Sequence, residues 1–225
     1  MSYSLILPQC EIFFSYQFFN EFVLISGGRQ PNLNFFKILS KNRKIIAVDK
    51  GINICHDLNI FPEFLIGDLD SANFNAIQWA EKISTVKKFP ADKDLTDTQL
   101  AINLFDDKNF LILTGIFGGR ADHLFSNIFT CANSKSKICL VDEQELIFFV
   151  KSGDSCKINF FDKPQNLSLL PMTEAVEGVN LKNVHWELEN ATLKQNFPNA
   201  ISNRVENDEI KISVENGILA IYFNF

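Results

Sequence analysis

Five short apolar runs, FVLISGG from Phe22, KIIAVDKG from Lys44, EFLIGDLDS from Glu63, NFLILTG from Asn109 and KICLVD from Lys137, each stop at glycine or a polar group. None alternates apolar with polar residues, so each needs cover on both faces, as buried parallel strands do. The stretches between them include helical patterns. LTDTQLAINLF puts Leu95, Ala101, Ile102 and Phe105 on one helical face, with Asp94 expected to cap its start and Asp97 to share that first turn. In GIFGGRADHLFSNIFTCAN, Gly118 and Gly119 permit a tight turn before a helix near residues 121–132. Repeated strand, loop and helix units predict an open α/β sheet, whose ligands bind beyond the carboxyl ends of the strands.

After about Glu143 the helical patterns stop and short strands follow, including NLSLLPM, VNLKNVHWELEN and ATLKQ. The runs 209–214 and 218–225 bracket Asn216-Gly217, which predicts a tight hairpin because both residues tolerate positive φ. The expected fold is thus an N-terminal open, mostly parallel α/β domain over residues 1–142. A C-terminal antiparallel β-sandwich over residues 143–225 follows.

Composition removes several function classes. The balance of 46% hydrophobic and 21% charged residues suits a folded chain, and a net charge of -6 argues against a nucleic-acid surface, which needs a basic excess. The apolar N-terminus lacks a basic n-region and is broken by Pro8, Gln9 and Glu11, so neither a signal peptide nor a membrane span is expected. Five cysteines with no CxxC pair read as reduced thiols of a cytoplasmic protein.

The chemistry gathers at strand ends. Asp68 and Asp70 in GDLDS lie two positions apart, so in extended backbone both face one side, as joint metal coordination requires. With Asp94 and Asp97 in KDLTD they make an oxygen-only set suited to magnesium, although GDxDS by itself also suits turn capping. Asp49 ends another strand on the same rim. Arg120 can pair bidentately with phosphate while Gly118 and Gly119 let backbone N–H groups approach the same anion. His123 and Asn127, one turn apart, can face that site, and a neutral His123 bonded to Asp122 is the bland alternative. GIFGGRAD lacks the GK[ST] of a Walker A loop and SGG is not GxGxxG, so neither a P-loop nor a dinucleotide site is indicated. In the tail, Trp186 can stack on a flat heterocycle and Ser202-Asn203 can hydrogen-bond its ring nitrogens.

In order along the chain, DKG at 49–51, PEFLIGDLDS at 62–71, KDLTDTQLA at 93–101, GGRADHLFSN at 118–127, SLLP at 168–171 and ISN at 201–203 resemble the motifs of the thiamine pyrophosphokinase family. The resemblance spans roughly residues 22–223. It implies transfer of the pyrophosphoryl group of ATP to the thiamine hydroxyl, giving thiamine diphosphate and AMP with Mg2+. It also implies a homodimer with composite sites between subunits. By match to the motifs, Asp68, Asp70, Asp94 and Asp97 would organise metal, phosphates and the hydroxyl, with Asp97 or Asp70 acting on the hydroxyl and Asp49 nearby. Arg120, Asp122, His123 and Asn127 would serve the nucleotide, and Trp186, Ser202 and Asn203 the thiamine. Two positions depart from the pattern: Lys50 and Asn183 stand where the family commonly has glycine.

The residues taken alone also fit two other classes. A magnesium-dependent nucleotide or phosphate-ester hydrolase would use the carboxylates to activate water. A noncatalytic ligand-binding protein would use the sandwich, but several desolvated like charges gain such a protein little unless cations offset them.

Overall fold

Residues 3–14 alternate in burial, with Leu5, Ile12 and Phe14 inside and Glu11 and Phe13 half-buried, the period-two signature of a sheet with one covered face. The computed structural model, which describes residues 3–90 and 92–225, pairs β1 (Tyr3–Ile6) with β2 (Cys10–Phe14) as an antiparallel hairpin.

Residues 18–142 form the α/β unit. In chain order it contains β3 (Asn20–Ile25), α1 (Leu33–Ser40), β4 (Lys44–Val48), a 3-10 turn (Asp49–Gly51), α2 (Ile52–Leu58), β5 (Phe64–Gly67) and α3 (Phe74–Ala80). There follow β6 (Thr85–Lys88), α4 (Asp97–Ile102), β7 (Asn109–Thr114), α5 (Ala121–Asn133) and β8 (Lys137–Val141). All pairings among these strands are parallel, in the order β8-β7-β3-β4-β5-β6. The apolar runs fill the middle of the sheet, where Val23, Leu24, Ile46, Leu65, Ile112 and Leu140 are at most 1% exposed. From β3 the chain adds β4, β5 and β6 on one side and β7 and β8 on the other. The strand order therefore reverses between β3 and β7, which opens a crevice at their carboxyl ends.

The expected cap of α4 is not the one observed. Thr96, not Asp94, caps it: its hydroxyl accepts from Gln99 N at 3.2 Å and the Gln99 side chain accepts from Thr96 N at 2.9 Å. This reciprocal box satisfies two free donors at once, which a single aspartate upstream cannot do. Asp94 is left exposed before the helix, and of the four expected apolar positions only Ala101 and Ile102 are buried.

The second unit holds residues 143–225 together with residues 3–17. Its further strands are β9 (Glu145–Lys151), β10 (Ser155–Phe160), β11 (Asn166–Pro171), β12 (Ala175–Lys182), β13 (Leu188–Lys194), β14 (Glu209–Ser213) and β15 (Ile218–Asn224). One antiparallel sheet runs β1-β2-β10-β14-β12-β13, and β9, β15 and β11 pair antiparallel in that order. Aromatic rings fill the space between these layers, with Phe14 edge-on to Phe148 at 6.1 Å and Phe160 edge-on to Phe223 at 5.3 Å.

Two expectations are corrected here. Residues 3–17 do not belong with the α/β unit, because β2 pairs with β10 from Cys156↔Phe14 to Phe160↔Cys10 and buries its apolar face in the sandwich. Asn216-Gly217 also does not close a hairpin: β14 pairs with β10 and β12, whereas β15 pairs with β9 and β11. Only Gly217 of the two has positive φ (97°), so the primed turn that needs it at both residues is not formed. Its N–H donates to Ser152 Oγ at 2.8 Å and the chain crosses from one layer to the other.

Candidate active site

The crevice at the strand-order reversal is a cleft of about 440 Å³. Ser26, Gly27 and Gly28 after β3 and, beside them, Gly115, Ile116, Gly118 and Gly119 after β7 line it. The two loops are stitched together by Ser26 N donating to Thr114 O at 2.9 Å, Gly28 N to Gly115 O at 2.6 Å and Arg29 N to Phe117 O at 2.6 Å. Arg29 anchors them further, because its Nε and Nη2 both donate to Oδ2 of the buried Asp142, at 2.9 and 2.6 Å. The two loops are thus tied to each other by backbone bonds, with the Arg29–Asp142 charge pair fixing the first of them.

On the nucleotide-facing side expected from sequence, Gly118 and Gly119 have φ of 70° and 68°, the left-handed backbone that turns the chain into α5. Arg120, His123 and Asn127 line the cleft with them. Asp122 is absent from that lining. Its carboxylate instead accepts from Arg120 Nε at 3.1 Å and Nη2 at 2.6 Å, which together with the local N–H of His123 holds it below the usual carboxylate range. This side of the crevice offers the turn N–H groups and the start of a helix of thirteen residues, an anion-accepting arrangement.

The opposite side is acidic. Asp49, Asp68 and Asp97 each present an oxygen, and these oxygens all lie within 4.8 Å of one another. Asp49 starts the 3-10 turn after β4, Asp68 follows β5 and Asp97 is the first residue of α4, so two strand ends and one helix start deliver them. Gly67 makes this convergence sterically possible: a Cβ there would fall on the Asp49 carboxylate. The Asp49 carboxyl is pushed up to about 7, first by burial, then by the negative charge of Asp97, with Asp68 adding to it and a weak bond from Leu69 N opposing it. Asp97 Oδ1 is buried without a hydrogen-bond donor. Lys93 Nζ stands 3.1 Å away as an ion pair, off hydrogen-bond direction.

Three carboxylates this close repel one another unless a proton or a cation intervenes. An all-oxygen donor set with one buried oxygen lacking a donor fits a hard divalent cation, and these residues can hold one. Of the aspartates singled out from sequence, the structure brings together Asp68 and Asp97 with Asp49, the residue expected on the same rim. Asp70 and Asp94 are exposed and lie outside the group, with Asp70 N donating to Asp68 Oδ1 at 3.1 Å. The cleft residues that motif reading passed over are Thr96, Thr98 and the Ser26 to Gly28 turn. Their available signal was position, since each follows a strand or opens a helix on the ligand-bearing rim.

A second hollow, about 390 Å³, lies wholly in the β unit between Leu169, Trp186, Leu188, Leu193, Ile201 and Asn203, among others. Trp186 is 55% exposed, with the Arg204 guanidinium 5.6 Å from its ring centroid. Asn203 is spent on backbone: its Oδ1 accepts from Trp186 N at 3.1 Å and Arg204 N at 2.8 Å, and its Nδ2 donates to Trp186 O at 2.8 Å. It therefore braces the tryptophan. Ser202 is exposed with φ of 58°, and its N–H donates to Ser168 Oγ at 3.1 Å.

Two family models match the chain, "Thiamin pyrophosphokinase, catalytic domain" over residues 35–141 and "Thiamin pyrophosphokinase, vitamin B1 binding domain" over residues 155–219. The chain belongs to the thiamine pyrophosphokinase family. A thiamine pyrophosphokinase of Bacillus subtilis is 29% identical over 180 residues, covering 77% of this chain and 84% of that one. The crystal structure of the thiamine pyrophosphokinase from Bacillus subtilis aligns with a TM-score of 0.76 at 25% identity, over 91% of this chain and 99% of that one. The one from Geobacillus thermodenitrificans gives 0.77 at 24% identity over 91% and 97%, which bears on the fold. The two-unit architecture, an α/β unit and a mostly antiparallel β unit, is thus that of the thiamine pyrophosphokinases. The first model falls on the unit with the acidic cleft and the second on the unit with the Trp186 hollow. Among the described residues no helix is long and apolar enough to cross a membrane.

Proposed function

We propose that this chain is a thiamine diphosphokinase: it transfers the pyrophosphoryl group of ATP to the hydroxyl of thiamine, releasing thiamine diphosphate and AMP. The observation that carries the reading is the grouping of Asp49, Asp68 and Asp97, two of which, Asp49 and Asp97, line a cleft together with glycine turns, in a chain of this family. These three carboxylates would hold Mg2+, which when bound offsets phosphate charge and favours attack at phosphorus. The thiamine oxygen forms a bond to the β-phosphorus, the bond from that phosphorus to the α,β-bridging oxygen breaks, and AMP leaves with its electron pair. Asp97 would orient the hydroxyl and accept its proton, supported by its buried oxygen without a donor. Gly118, Gly119, Arg120, His123 and Asn127 would cradle the nucleotide's phosphates by N–H groups and positive charge, with Asp122 steering Arg120. Asp70 and Asp94, exposed and outside the trio, would add negative charge for Mg2+ at the site.

The hollow beside Trp186 has the volume of a small-molecule site, and stacking on an exposed tryptophan suits a flat aromatic acceptor. Asn203 would serve thiamine by fixing Trp186, with Ser202 at the same turn. The reading includes a homodimer in which the catalytic unit of one protomer meets the β unit of its partner. It also includes a cytoplasmic setting, supported by five buried cysteines held as thiols.

The test is to incubate the purified chain with ATP and Mg2+, with and without thiamine, and identify the products. Thiamine diphosphate and AMP in equal amounts are expected only when thiamine is present. Release of inorganic phosphate or pyrophosphate irrespective of thiamine would instead make the chain a hydrolase. At thiamine well below KM, mixing folded Asp97→Asn protomers with folded Trp186→Ala protomers should give more activity than the same amount of Trp186→Ala alone if sites are shared, and no gain would reject the shared site.

A further inference from the structure

We propose that Lys50 is a specificity-determining residue of the cleft, gripping the outer phosphates of a nucleoside triphosphate so that the site prefers it to a monophosphate. This rests on the reading of the cleft as the nucleotide site.

The cations around the cleft are not equivalent. Lys93 is drawn to Asp97 at 3.1 Å, Arg29 to Asp142 and Arg120 to Asp122, each at 2.6 Å. Lys50 also lines the cleft, yet among the described residues it forms no ion pair with a carboxylate. It directly follows Asp49 in the 3-10 turn, which puts it on the acidic side of the crevice. A polyphosphate neutralised by a cation at that trio would bring its outer phosphates to this side. An ammonium on a flexible stem suits a phosphate there as a point charge.

The stem is positioned rather than free. It lies over Gly27 so closely that a Cβ on Gly27 would meet Lys50 Cγ at 2.8 Å, Cε at 2.9 Å and Cδ at 3.3 Å. The missing side chain at 27 therefore makes the groove in which Lys50 runs along the cleft wall. Gly27 and Lys50 thus act as a pair.

Binding measured by calorimetry in Mg2+ without thiamine tests this, with α,β-methylene-ATP and AMP as probes. Lys50→Met keeps the stem and removes the charge; it should weaken the triphosphate analogue by about tenfold and leave AMP unchanged, while Lys50→Arg retains most of the affinity. Equal affinity of Lys50→Met and the wild type for the analogue overturns the proposal, as does an equal loss for AMP. Gly27→Ala should displace the stem and weaken the analogue in the wild type, but add nothing in a Lys50→Gly background. The same loss in both backgrounds overturns the pairing. Because no acceptor is present, the outcome separates from the proposed reaction. Selective loss in a chain that forms no thiamine diphosphate leaves Lys50 standing and removes the acceptor, and normal analogue binding by Lys50→Met in an active enzyme does the reverse. A wild-type chain that binds no analogue refutes the proposal together with the reading of the cleft beneath it.

Discussion

Replacing Asp49 with asparagine should stabilise the metal-free protein at alkaline pH and remove much of its response to divalent cations. The Asp49 carboxyl is raised from 3.8 to about 7, chiefly by burial and by Asp97. In the unfolded chain it loses its proton first, so the contribution of its protonated form is intact below about pH 4 and lost as the pH climbs through about 7. Three pH units correspond to roughly 4 kcal/mol if fully expressed. Asp49 is only partly withdrawn from solvent, and screening reduces that to about 1–2 kcal/mol. Asparagine keeps the shape without the charge. Asp49→Asn should therefore match the wild type near pH 4 and melt about 4 °C higher near pH 8 in chelator. Mg2+ should reverse the order, since a cation among Asp49, Asp68 and Asp97 offsets the repulsion that the variant no longer has. Scanning calorimetry of both proteins from about pH 5 to about pH 9, with chelator and with Mg2+, reads this directly. The reasoning is refuted if the variant melts no higher than the wild type in chelator at the alkaline end, or if Mg2+ raises both melting temperatures equally.

Asp97→Asn should abolish product formation while leaving the melting temperature near that of the wild type, which a coupled AMP assay and calorimetry would show together. Gly67→Ala places a Cβ on the Asp49 carboxylate at a φ of 147°, so it should lose about 2 kcal/mol of stability and bind Mg2+ more weakly in a direct titration. Trp186→Ala should raise KM for thiamine about fivefold, the equivalent of roughly 1 kcal/mol of stacking, with kcat little changed. Burial pushes the Cys10 and Cys55 thiols up to about 12, so a thiol reagent near pH 8 should modify them only after denaturant is added.

The elements most legible in the sequence were those whose signal is local. Unbroken apolar runs at Val23, Ile46, Leu65, Ile112 and Leu140 need cover on two faces whatever surrounds them, which is why parallel strands could be read from them. The helix after Gly118-Gly119 was equally readable, because positive φ at two glycines followed by a helical pattern is short-range information. Asp68 and Asp97 could be named because each stands beside a strand end or helix start. What a segment pairs with is a different kind of fact. Nothing within residues 3–17 says that Cys10 to Phe14 will lie along β10, and Asn216-Gly217 carries a hairpin signal that competition from β10 and β9 overrides. The grouping of Asp49 with Asp68 and Asp97, in place of Asp70 or Asp94, was likewise decided by tertiary structure. Parallel neighbours β4 and β5 bring their carboxyl ends together with the start of α4, and the missing side chain of Gly67 lets the first carboxylate reach the second. Residue type and local pattern determined which groups could do chemistry; long-range pairing of the backbone determined which of them meet.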